Sequence, residues 1–83
     1  MPFHLAGTVA VLEGHCSIEE AETLAEALRG LAQPQVDLAG CAHLHLAVLQ
    51  TLLALRPALA APPADPLLRR LTAGLPAPDG PAG

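Results

Sequence analysis

Apolar positions recur along this chain in two rhythms. Phe3 to Leu5 and Thr8 to Glu13 are short runs on either side of Ala6-Gly7. The second, through Val9-Ala10-Val11-Leu12, is β-branched enough to form a strand, and the glycine between the runs predicts a hairpin. From Ile18 the period lengthens. Ile18, Ala21, Leu24, Ala25, Leu28 and Leu31 fall on one stripe at helical spacing, with Glu19, Glu20, Glu22, Glu26 and Arg29 on the other face. Ser17 and Glu20 have the spacing of a capping box at the start of this helix, in which the Ser hydroxyl can accept from the third helical N–H while Glu20 reaches back. Gly30 and Pro34 stop it.

Gln35 to Leu38 predicts a short buried strand, followed by a polar turn through Gly40. Leu46 to Leu55 predicts a second helix, closed by Arg56-Pro57. Leu59-Ala60-Ala61 has the makings of a short fourth strand, limited by Pro62-Pro63. Asp65-Pro66 pairs a helix N-cap with proline at the first helical position. Leu67, Leu68 and Leu71 then form the inner stripe of a last helix ending at Gly74. Strand pair, helix, strand, helix, strand, helix is an α/β order. It predicts a small mixed sheet of about four strands with helices on one face, the first two side by side through right-handed crossovers. Residues 1–75 make one domain, and 76–83, a Pro/Gly/Ala tail with nothing to bury, is expected to be disordered.

Composition narrows the function. With 83 residues the chain holds one small core, and although it is 52% apolar it has a single aromatic, Phe3, so that core must be built from aliphatic layers. Four Arg and no Lys face eight carboxylates, a formal charge of −4. Nucleic acid needs a concentrated basic face, and Arg69-Arg70 is too small to provide one. Two cysteines do not make a disulfide framework. No charged start followed by an apolar stretch marks a signal peptide. Gln50, Arg56 and Pro57 interrupt the run from Leu46 to Ala61, which is therefore not a clean span of ~20 residues. A cytoplasmic protein without membrane insertion is the expectation.

Candidate chemistry centres on His and Cys. His15-Cys16 follows the second strand and Cys41-x-His43-x-His45 the third. If the segment stays extended, alternation puts Cys41, His43 and His45 on one side, and thiolate with imidazole would suit zinc. The spacing fits no standard zinc motif, and Cys41 packed inside as a small apolar group is the plainer account. A metal-binding protein is the alternative reading; no cofactor is expected under the main one. An enzyme lacks support: His15 beside Cys16 has no third orienting group and no oxyanion donors. The second helix says more. Leu46, Val48, Leu49, Leu52, Leu53 and Leu55 spread apolar surface around most of its circumference, more than covering one face of a sheet requires. That excess predicts an exposed apolar patch rimmed by His43, His45, Gln50 and Thr51, and such patches mark partner surfaces or a homodimer.

The stretch Val36-Asp37-Leu38-Ala39-Gly40-Cys41, running through His43 and His45 into the second helix, resembles the third strand, loop and second helix of STAS domains, the family of bacterial anti-anti-sigma factors and sulfate-transporter tails. In that family the strand reads roughly Val-Asp-Leu-Ser-Gly-Val, and Leu12-Glu13-Gly14 is similar to its Leu-x-Gly. The resemblance covers about residues 3 to 75. The family's turn reads Asp, Ser, Ser or Ala, Gly, whereas His45, Leu46, Ala47 and Val48 stand here, so the phosphorylatable serine is missing. The resemblance implies a non-enzymatic protein–protein interaction module of signal transduction or transport. Its contact would comprise His43, His45, Leu46, Ala47, Val48, Gln50 and Thr51, without a serine phospho-switch. The implied partners are an anti-sigma kinase, a two-component or chemotaxis protein, or the ATPase of an ABC transporter.

Overall fold

A computed structural model describes residues 3–77 of the chain. Two strands come first, β1 (Phe3–Ala6) and β2 (Val9–Cys16), joined by Gly7-Thr8. Gly7 has φ 66° and Thr8 is not left-handed, the signature of a two-residue turn with glycine first, which matches the twist of the flanking strands. Helix α1 (Ile18–Arg29), strand β3 (Gln35–Leu44), helix α2 (Leu46–Leu55), strand β4 (Ala58–Ala61) and helix α3 (Pro66–Leu71) follow. The four-stranded sheet has the order β1-β2-β3-β4. β1 runs antiparallel to β2, whereas β2, β3 and β4 are parallel. The protein is α/β, a mixed sheet of four strands with three helices, as the order of periodicities predicts.

The core lies between the sheet and the helices. Phe3, Ala10, Leu12, Val36 and Leu38 from the strands meet Leu24 and Leu28 of α1, Val48, Leu49 and Leu52 of α2, Leu68 of α3, and Leu75. Alternate strand residues, among them His4, Val11 and Asp37, point away from this layer and are exposed or half-buried. α1 and α2 pack side by side. At α1 the Ser17 N–H donates to Glu20 Oε1 (2.7 Å) and the Ser17 hydroxyl donates to the same carboxylate, closing the capping box. Ile18, expected on the inner stripe, is instead 58% exposed at the first position of the helix.

Two strands depart from their predicted lengths. β2 extends to Cys16, and β3 runs through the expected turn to Leu44. Over this extension β3 carries extra residues against β2: Val11 pairs with Asp37 but Glu13 with Gly40, and Gly14 pairs with Cys41 but His15 with His43. Leu38, Cys41 and Leu44 are therefore the buried positions, a spacing of three instead of two. Asp37 Oδ1 accepts from the Ala39 N–H (2.9 Å) where the first irregularity falls, supplying a partner outside the ladder. β4 exists and pairs with β3 through Val36–Leu59. At the end of the domain Leu75 is buried, and the Leu59 N–H donates to the Pro76 carbonyl (2.8 Å). Of the tail expected to be disordered, positions 78–83 lie outside the described residues.

Candidate functional site at the start of the second helix

In open α/β sheets, ligands bind outside the carboxyl ends of the parallel strands. Here that edge is where β2 ends at Cys16, β3 ends at Leu44 and α2 begins at Leu46. The backbone ties the three together, since the His45 N–H donates to the Cys16 carbonyl (2.9 Å). His45 is the N-cap of α2. Its Nδ1 accepts from the Ala47 N–H (3.0 Å), the role a Ser or Asp side chain usually fills. At the other end of α2, Arg56 closes the helix in a left-handed conformation (φ 52°) ahead of Pro57.

Apart from His45 at the cap, the expected contact residues divide among three locations. Val48 is fully buried, so its side chain belongs to the core and offers nothing to a partner. Ala47, Gln50 and Thr51 line an open groove between α1 and α2, shared with Ala21, Glu22 and Ala54. Thr51 Oγ1 donates to the Ala47 carbonyl (2.9 Å), a bond within the helix. His43 and Leu46 line a second groove, of about 320 Å³, on the opposite side of α2. Its remaining walls are Ala42, Leu44, Leu49, Asp65, Leu67, Leu68 and Leu71. Helical spacing makes this division: Leu46, Gln50 and Leu53 form the outward crest, and the grooves fall to either side.

The second groove exposes the larger apolar surface. Leu46 is 62% exposed, Leu67 60% and Leu71 43%, all around one depression. Sequence reasoning placed Leu67, Leu68 and Leu71 together on the inner stripe of α3, but only Leu68 is buried. Spacing did not separate them, because Leu71 lies between Leu67, four residues before it, and Leu68, three before it, and neighbours both.

The cysteines and histidines do not converge. Both thiols are buried and free. They lie beside each other: burial first, then the neighbouring Cys41, pushes the Cys16 thiol from its ordinary 9.0 to about 12. Burial also pushes Cys41 up, and its Sγ donates to the His43 carbonyl (3.5 Å). Thiols so placed are poor nucleophiles and poor ligands. His43 is exposed, its ring centroid 5.6 Å from that of His15, its register partner on β2. Among the described residues no three His, Cys, Asp or Glu side chains are grouped to hold a metal ion. The cause lies in the strand. Ala42 is the extra residue of the second irregularity, so Cys41 turns inward while His43 does not, and the alternation that would align Cys41, His43 and His45 is lost.

No helix among the described residues is long and apolar enough to cross a membrane. Compared with known proteins, the chain matches no family model and no curated sequence.

Proposed function

We propose that the protein is a non-enzymatic interaction module that binds another protein at the start of α2. The observation that carries this reading is the groove between α2 and α3, with Leu46, Leu67 and Leu71 exposed around it and His43 and Asp65 among its lining residues. Leaving three leucines about half exposed on so small a domain forgoes a share of the roughly 1.5–3 kcal/mol that fully burying each would give, and a covering partner recovers part of it. The resemblance of Val36 to Gly40 and of the following helix to STAS domains supports the same face, because that family meets its partners with this loop and helix. With Leu46 and Ala47 in place of the family's serine, binding here is constitutive and not switched by phosphate. On the same resemblance the protein works in the cytoplasm, and its partner is an anti-sigma kinase, a two-component or chemotaxis protein, or a transporter ATPase.

Capture of partners by the tagged chain from its host, repeated with Leu46→Asp and with Leu67→Asp, tests this. Both positions are exposed, so both variants should melt within a few degrees of the native chain. A partner held by the native chain, held by Leu5→Asp on β1, and lost with both groove variants is the expected result. A partner that all variants retain equally would remove the groove from the account. A groove-dependent second copy of the chain itself would identify a homodimer instead.

A further inference from the structure

We infer that His45 is a pH-sensitive latch on the first turn of α2. A neutral imidazole has one nitrogen that accepts and one that donates, whereas the protonated ring has two donors. The cap requires Nδ1 as the acceptor, since it receives the Ala47 N–H at 3.0 Å. A proton on Nδ1 ends that hydrogen bond and also places a positive charge at the positive end of the helix dipole. Both effects have the same sign. The cap is made while the ring is neutral and is lost when Nδ1 takes up a proton.

At the same edge as the start of α2 the adjoining elements carry His15 and Cys16 on β2, Glu19 and Glu20 in the first turn of α1, Cys41 and His43 on β3, and Asp65 ahead of α3. Glu20 is already engaged by Ser17, and Asp65 Oδ2 by the Leu68 N–H (3.0 Å). The thiols stay neutral throughout, being buried with raised values. The rings of His43 and His15 lie 5.6 Å apart at the strand ends that hold His45. The part released is Leu46, the first residue of α2 and a wall of the leucine groove. The inference concerns the helix start alone and stands whether or not a partner uses that groove.

Nuclear magnetic resonance on the whole chain tests it without any partner. At about pH 7.5 the ring nitrogen shifts of His45 should show Nδ1 bare and the hydrogen on Nε2. Between about pH 7.5 and pH 5.5 the protection factor of the Ala47 amide should fall roughly fivefold, the scale of a lost N-cap. In His45→Asn, whose side chain caps but does not titrate, protection should stay level. A hydrogen on Nδ1 at neutral pH in the native chain would overturn the proposal, as would an equal loss of protection in native chain and variant.

Discussion

The thiols of Cys16 and Cys41 face each other inside the core, where burial holds both in the neutral form. For Cys16 the linkage runs in one direction. Its value rises from 9.0 to about 12 on folding, so the buried thiol contributes stability below its ordinary range, and that contribution is lost as pH climbs through 9.0 towards about 12. Denaturant midpoints of the native chain should therefore drop across this alkaline range, and Cys16→Ala, though less stable at neutral pH, should drop less. Glu20 runs the other way. The Ser17 hydroxyl, then the Ser17 backbone N–H, holds its carboxyl below the usual carboxylate range. Stability from that box is present above the carboxylate range and lost as pH falls through the lowered value. Ser17→Ala should cost stability at neutral pH, and its deficit should shrink towards about pH 3. A deficit that does not change with pH would show that the box is not made. At this scale the sequence spoke clearly for Ser17 and Glu20, whose spacing is the signal. It offered His45 as a ligand or contact residue but not as the N-cap of α2, because a histidine cap has no spacing rule and depends on where the helix begins.

Elements were legible wherever one period governed them. α1 and α2 lie where the helical spacing put them, and α2 has the expected bounds, Leu46–Leu55. β3 was read short because its inward positions pass from a spacing of two to a spacing of three after Leu38, and no fixed-period pattern describes both halves. The same irregularities separate Cys41 from His43 and undo the metal arrangement that strict alternation allows. Gly14, with φ 65°, sits where the second one falls, a conformation that costs a side chain roughly 1–2 kcal/mol. Nothing lies within 4 Å of a Cβ added there, so backbone strain alone should set the effect of Gly14→Ala. A loss of about 1 kcal/mol in chemical denaturation is expected, and no loss would mean that the strand relaxes around it. β4 was hard to read for another reason. Ala58–Ala61 has no β-branched residue, and its place comes from pairing with β3 and from Pro76 beyond it.

For the molecule as a whole, one aliphatic layer between sheet and helices supplies nearly all the stability. Leu52 is fully buried at its centre, and Leu52→Ala should cost about 2–5 kcal/mol, a large part of what so small a domain has. Leu46 and Leu67, of the same residue type but outside that layer, should tolerate alanine with little loss of stability, and thermal melts separate the two groups. Leucines that do not hold the fold together are the argument that this surface is for something else. The apolar excess of α2 foretold the exposed Leu46 and Leu53, but the groove's other wall comes from α3, which only the packed structure brings alongside. The most direct measurement is site-specific photo-crosslinking in the host, with the reactive group placed in turn at Leu46, Leu67 and, as the outlying control, Leu5. The account predicts one protein adduct shared by the Leu46 and Leu67 probes and missing from the Leu5 probe. An adduct formed equally from all three, or from Leu5 alone, would contradict it.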